Sequence, residues 1–292
     1  MNDRYAMFNQ LSPTYKGILF ALLGYTCFAG SDFCAKWLTQ LYSIYQVITI
    51  DSAVACGLLL AFSPWLGGVR DIFRRENLKI NGARIALNFL VNILMVYCLT
   101  QLPVASVYTF IFTVPFIAAL LAMVFYGEAV HRRHWIAIAV GFIGVVIALK
   151  PGAAVAPPLF VALLCAVFIA GMFLLTKSLK APSVFCLGFM PVAGALVLTF
   201  PLMLMTWQPL ALHDLPLLTL QGAAVAGGLV FVSLAYRMAA PAVVSPFMYT
   251  EMIWAIVFGF LIFGDVPDLW MLAGAAVIIA SGIYLIETER RA

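Results

Sequence analysis

Charge is what this chain has least of. Of its 292 residues, 10% are Asp, Glu, Lys or Arg, against about 25% in a soluble domain. Histidine is scarcer still. His131, His134 and His213 all lie between apolar runs, so neither a buried Ser-His pair nor a zinc site finds ligands inside them. The cysteines Cys27, Cys34, Cys56, Cys98, Cys165 and Cys186 form no CxxC pair. They read as small apolar core residues rather than a redox or metal motif. No GxxxxGK[ST] phosphate loop is present, which excludes an ATP-driven pump within this chain. No Lys/Arg run interleaves with aromatics, which excludes a nucleic-acid surface. The expectation is a chain without catalytic residues, metal or cofactor.

What fills the sequence instead is apolar surface, 65% of the residues, where a soluble domain has about 45–50%. A globule of this size cannot hide that much from water, so the solvent is lipid. A helix crosses the hydrocarbon in about 20 residues. On that measure ten spans fit: 17–37, 43–65, 81–101, 103–125, 134–150, 157–179, 182–206, 215–238, 241–263 and 268–287. Turn signals separate them, among them Gly67-Gly68, Gly127-Glu128, Pro151-Gly152 and Gly264-Asp265. Runs such as Trp135 to Leu149 are apolar on every face, unlike the alternating strands of a β-barrel. The first span keeps Asp32 and Lys36 and has no small-residue cleavage site after it, so it reads as a retained helix, not a signal peptide.

Basic residues set the orientation. With ten spans, one side holds Arg4, Lys16, Arg70, Arg74, Arg75, Lys79, Arg84, Arg132, Arg133, Lys177, Lys180, Arg237, Arg290 and Arg291, and the other only Lys36 and Lys150. Both termini are therefore expected in the cytoplasm.

The two halves echo each other at an offset of 137–141 residues. Ala29-Gly30 matches Ala170-Gly171, Lys36 matches Lys177, Pro103 matches Pro241, and Gly127-Glu128 matches Gly264-Asp265. Five helices per half is an odd number, so the second half inserts upside down. Loop charges agree: His131-Arg132-Arg133-His134 faces a counterpart reading Asp265-Val266-Pro267-Asp268. The expected architecture is an all-α membrane protein of two inverted five-helix repeats, residues 1–152 and 153–292.

The stretch Phe28-Ala29-Gly30-Ser31-Asp32-Phe33-Cys34-Ala35-Lys36 resembles the first-helix pattern of EamA-type proteins of the drug/metabolite transporter superfamily. Helices four and nine, ending Gly-Glu and Gly-Asp, and the five-plus-five layout are similar too. Asp32 stands where the family usually has Asn, and Met252 follows Glu251 where a Pro is common. The resemblance implies export of small metabolites, with amino-acid exporters, aromatic ones included, a well-populated branch. It also implies a bacterial inner (plasma) membrane.

Ionisable side chains inside spans cost about 2.5–3.5 kcal/mol on insertion scales, so each is expected to face protein or water. Glu251 stands near the middle of the ninth span with no His, Lys or Arg at its depth. It is read as a site for a substrate amine or a proton, or else a structural acid. Asn88 and Asn92, one turn apart on the third span, can donate to a substrate carboxylate or link helices. Tyr97, Tyr108, Phe112, Phe168, Tyr249 and Trp254 complete the candidate substrate site. Asp32, Lys36 and Asp51 are expected to form a structural ion cluster, the first two as an i,i+4 pair. Pro115 and Pro246, inside the fourth and ninth spans, are the expected gating positions. In span five Trp135 to Leu149 contains no polar side chain, in span ten Leu269 to Leu285 contains only Ser281 and Tyr284, and the two carry the small pairs Ala137/Gly141 and Ala276/Ala280. They are expected as scaffold, or as the contact of a homodimer.

The function expected from the residues and the resemblance together is a secondary carrier exporting amino acids or similar small metabolites by alternating access. Its partners are that substrate and membrane lipid. The alternatives are a passive facilitator or channel and an intramembrane enzyme, for which an Asp32–Asp51 dyad lacks a supporting motif.

Overall fold

Serines open the early helices. Ser12, Ser43 and Ser183 each turn a side-chain oxygen to an amide in the first turn of the helix that follows, satisfying one of the donors a helix start leaves free. Left-handed glycines close two others: Gly127 and Gly264 have φ of 65° and 67°, a conformation that costs a residue with a Cβ. The computed structural model describes residues 12–127, 132–148, 157–239 and 244–291. Every regular element among them is helical. The α-helices are α1 (Pro13–Leu38), α2 (Ile44–Ala61), α3 (Leu78–Gln101), α4 (Val104–Ile111), α5 (Val114–Tyr126), α6 (Arg132–Ala148), α7 (Pro157–Lys177), α8 (Val184–Met205), α9 (Leu215–Met238), α10 (Thr250–Phe258) and α11 (Leu269–Arg291).

Among the described residues, seven helical stretches are long and apolar enough to cross a membrane, with three shorter apolar ones beside them: Ala139–Ala148, Phe247–Phe263 and Leu269–Tyr284. Together they are the ten rods that hydropathy predicts. Two rods are not continuous. The fourth breaks at Phe112-Thr113 into α4 and α5. The cause is local: Pro115 has no N–H to offer the carbonyl of Ile111, four residues earlier. The ninth opens as a 3-10 turn, Ser245–Tyr249, continues as α10 and ends in a π turn, Gly259–Phe263.

A broken helix inside lipid must be enclosed, because hydrocarbon cannot hydrate freed backbone groups. The fourth rod meets that demand. All of Val104–Ile111 is buried, and so are Phe112, Thr113 and Val114 at the break. The hydroxyls of Thr109 and Thr113 donate to the carbonyls of Ala105 and Phe110. Around this central rod, α1 lies along α9, α2 along α8 and α9, and α3 along α7 and α8. The burial pattern inverts that of a water-soluble protein. Gln46, Thr49, Asn81, Arg84, Thr199, Gln221 and Glu251 are inside while Phe160, Phe173, Phe200 and Leu204 face outward. Trp37, Trp65, Trp135, Trp207 and Trp270 are exposed near helix ends, as an interfacial aromatic belt requires.

α6 and α11, the fifth and tenth rods, pack chiefly on each other within the chain. Their seam is not the one the small pairs predict. Gly144 meets Gly274, whereas Gly141 packs on Phe116, and Ala276 and Ala280 face outward; the Ala137 side chain lies outside the described residues. A Cβ at Gly274 would stand 2.6 Å from the Gly144 carbonyl oxygen and from the Ala148 amide. Gly274→Val is therefore expected to push the helices apart at a cost of about 1–3 kcal/mol, read as a lower thermal midpoint in detergent. An unchanged midpoint would mean the seam is slack.

Candidate substrate site

The polar interior is assembled on α1, α4 and the ninth rod. Tyr25, Ala29, Asp32 and Lys36 recur at intervals of three and four residues along α1, so they share one helix face. Asp32 accepts a hydrogen bond of 2.5 Å from the Tyr108 hydroxyl of α4. It lies deep between helices yet keeps partial solvent access, as a side chain lining an internal crevice does. Glu251, in the first turn of α10, is buried and within electrostatic reach of Asp32, Tyr108 and Tyr25. Among the described residues no ion pair reaches either carboxylate.

Aromatic rings surround the two acids. Tyr108 lies 5.9 Å from Phe112, and Phe112 meets Tyr249 edge-on at 5.1 Å. The Tyr249 hydroxyl is buried without a hydrogen-bond partner and occupies the space a Cβ at Gly282 would take. Trp254 stacks on Phe258 at 5.1 Å, and its indole N–H donates to Thr26 at 3.0 Å. The hydroxyls of Tyr25 and Tyr236 sit 3.4 Å apart. Chemically, two enclosed carboxyl groups beside aromatic rings could meet a cation that is also apolar or aromatic.

The structure brings together only some of the residues that sequence nominates. Tyr108, Phe112, Tyr249, Glu251 and Trp254 converge. Asn88 donates to the Pro191 carbonyl at 3.0 Å and links α3 to α8. Asn92 is half-buried, and among the described residues no side-chain or backbone group pairs its amide. Phe168 is half-buried away from these contacts, and Tyr97 is 37% exposed.

Asp32, Lys36 and Asp51 do not form one ion cluster. Lys36 turns from Asp32 to Asp265, 2.7 Å away, with its ammonium 4.6 Å from the Phe263 ring centre and 3.3 Å from the Leu102 carbonyl. A partner at the end of another rod lets the long side chain reach past its own helix. Asp51 instead accepts from Ser52 at 3.0 Å and from Gln221 of α9 at 2.9 Å. Nor do the two prolines sit mid-helix. Pro115 falls in the first turn of α5 and Pro246 in the first turn of the 3-10 segment. First-turn amides have no intrahelical acceptor anyway, so each proline starts a helical piece.

Tyr25, Thr26, Phe258 and Gln221 were not singled out by sequence. Tyr25 had a readable signal, its spacing from Asp32 on one helix face. Gln221 had none, because its partner is 170 residues distant in the chain.

Apolar helical rods wrapped around enclosed carboxyl groups define a multi-pass integral membrane protein. Residues 15–150 match the model of the EamA-like transporter family. The chain is 27% identical over 97% of both chains to the S-adenosylmethionine uptake transporter of Rickettsia conorii. It is 31% identical to the riboflavin transporter of Rhizobium johnstonii over 66% of this chain and 65% of that one. To the pseudopaline exporter of Pseudomonas aeruginosa it is 24% identical over 94% of this chain and 97% of the other. A solved crystal structure at 14% identity superposes with a TM-score of 0.64, covering 94% of this chain and 99% of that one, which speaks to the fold alone. The protein is a membrane transporter of small metabolites.

Proposed function

We propose that this chain is a secondary carrier for a small, positively charged metabolite of amino-acid type, held near mid-membrane between two inverted five-helix repeats, 1–152 and 153–292. The observation that carries this reading is the pair Asp32 and Glu251, enclosed, in electrostatic reach of each other, and without an ion pair among the described residues. A buried charge with no counter-ion is costly, and a cationic substrate supplies the counter-ion. The aromatic branch that the family resemblance includes would place an ammonium on Glu251 and a ring among Tyr108, Phe112 and Trp254. S-adenosylmethionine, which names the Rickettsia relative, fits more of the site: an ammonium and a sulfonium for two carboxylates, and an adenine ring for the π faces. A carrier runs in either direction under the prevailing gradient, so uptake and export both fall to this geometry.

Several pairs of features support the repeat and its use in alternating access. Ser43 and Ser183 cap equivalent helices, and α3 and α9 are each 24 residues long. Lys36 lies over Phe263, and Lys177 over Tyr126, with 4.6 and 5.5 Å to the ring centres. The fourth rod breaks between two α-helical pieces and the ninth passes from a 3-10 turn into α-helix, so both are interrupted along their length. We take those two joints, beside Pro115 and Pro246, as the pivots.

Counterflow tests the carrier. Liposomes holding the protein and unlabelled S-adenosylmethionine should transiently accumulate labelled S-adenosylmethionine from outside. A channel equilibrates label without overshoot, and an enzyme returns altered label. No accumulation with this substrate or with a panel of amino acids would overturn the reading. The membrane orientation carries its own expectation: a reporter active only outside the cytoplasm, fused after Ala292, stays silent in cells. Activity there would reverse the topology.

A further inference from the structure

Gln221 is a buried amide with one half unanswered. It lies on α9 and is 1% exposed. Its Nε2 donates to Oδ2 of Asp51 at 2.9 Å, but its Oε1 is buried with no hydrogen-bond partner among the described residues. The two helices meet closely here: a Cβ at Gly222 would stand 2.6 Å from the Asp51 carbonyl oxygen. A buried acceptor left unpaired is costly, so Oε1 calls for a donor.

Asp51 has the matching defect. It is buried on α2, accepts from Ser52 at Oδ1 and from Gln221 at Oδ2, and no ion pair reaches it among the described residues. Ionised, it has two neutral donors and no counter-ion. Protonated, a carboxyl donates as well as accepts. A carboxylic acid and a primary amide then join by two hydrogen bonds side by side: the amide N–H to one carboxyl oxygen, and the acid O–H to the amide oxygen. One proton on Asp51 answers both defects.

The groups packed around Asp51 offer no cation in exchange. α9 presents Gln221, and α8 presents Thr199, bonded to Thr49. Arg84 of α3 is engaged by the Asn81 side chain and the Leu187 carbonyl, and Lys36 of α1 by Asp265. The titratable groups in electrostatic reach are Cys56 on the same helix and Asp32 on α1. Helix positions agree with that reach. Asp32 is six residues before the end of α1 at Leu38, and Asp51 seven after the start of α2 at Ile44. Residues 39–43 join these two ends, so both acids lie about 9–10 Å in from the same side. Two like charges in reach of each other resist ionising together. A cation bound at Asp32 removes that resistance and lets Asp51 release its proton, and by linkage the proton on Asp51 disfavours the cation.

We propose that Asp51 and Gln221 form the proton site of this carrier: Asp51 holds one exchangeable proton against Gln221 Oε1 and gives it to solvent when the cationic substrate occupies Asp32 and Glu251, so that proton and cation travel in opposite directions. This rests on the carrier reading above and adds its coupling ion.

Two measurements test it. Infrared difference spectra of the full-length protein in liposomes, taken between acid and alkaline buffer, read the proton without any substrate. The wild type should show the C=O stretch of a buried protonated carboxyl, a band that Asp51→Asn lacks and Gln221→Leu shifts in frequency. Asp51→Asn should fold at least as stably as the wild type, because an amide there donates permanently to Oε1. A spectrum unchanged by Asp51→Asn overturns the proposal. A pH-sensitive dye sealed inside the liposomes reads the coupling. S-adenosylmethionine added outside should raise the internal pH with the wild type. With Asp51→Asn that rise should be lost while labelled and unlabelled substrate still exchange. Counterflow by the wild type with no pH change overturns the coupling. So does a pH change that survives Asp51→Asn, which would put the proton on Asp32 or Glu251. If the wild type shows no counterflow of S-adenosylmethionine, the substrate reading fails, and the infrared band still decides whether Asp51 holds the proton.

Discussion

Glu251→Gln is expected to reduce transport of a cationic substrate by about 100-fold or more, while the protein inserts and folds normally. The exchange keeps the shape of the side chain and removes its charge. Glu251 is buried, with Asp32 as its named charged neighbour and the tyrosines Tyr25 and Tyr108 around it. Removing one partner of a buried ion pair costs about 3–5 kcal/mol, and each 1.4 kcal/mol is about tenfold in affinity. Asp32→Asn should cost less, because the Tyr108 hydroxyl still holds the group at that position. A neutral substrate analogue should be far less affected by either change. If Glu251→Gln transports the cation at the wild-type rate, Glu251 is a structural acid and the site lies elsewhere.

The second large effect is expected at the Leu38 end of α1. Lys36 ties three segments together: its own helix, the end of the ninth rod through Asp265, and the link between α3 and α4 through the Leu102 carbonyl. Its side chain is 12% exposed and that of Asp265 27%, so the pair is shielded from salt more than a surface pair is. By the orientation proposed here, this is the periplasmic mouth of the pathway. Lys36→Met should release that end and let substrate leak without counter-substrate, turning coupled exchange into uncoupled efflux. Asp265→Asn should do the same more weakly, since the Leu102 and Phe263 contacts remain. Exchanging the two residues, Lys36→Asp with Asp265→Lys, should recover part of the coupling that either single change loses. A double exchange no better than the worse single variant would mean the pair anchors the fold and gates nothing.

The partner of Lys36 illustrates why some features were legible in sequence and others were not. Asp32 is one helical turn away and is the natural expectation for an i,i+4 pair. Asp265 is 229 residues away and wins because two rods end at the same level of the membrane. The same distinction divides the asparagines. Their shared face follows from spacing on one helix, but only the approach of α8 commits Asn88 to Pro191 and leaves Asn92 open. At the fourth rod, Pro115 announces a disturbance, yet whether it kinks a continuous helix or starts a new one depends on burial of the freed backbone at Phe112-Thr113.

By itself, then, the sequence determined that lipid is the solvent, that ten apolar rods carry the chain, where glycine turn signals end several of them, and that Glu251 is an acid with no base on its own rod. These are local properties: hydropathy, helix caps and charge along the chain act within a few turns. The tertiary structure alone decided which side chains meet. It joined Asp32 to Tyr108 across 76 residues and Trp254 to Thr26 across 228, and paired α6 with α11 through Gly144 and Gly274. Which partner a buried polar group finds depends on the packing of distant helices, where leaving it unpaired in a low-dielectric interior costs more than local spacing can offset.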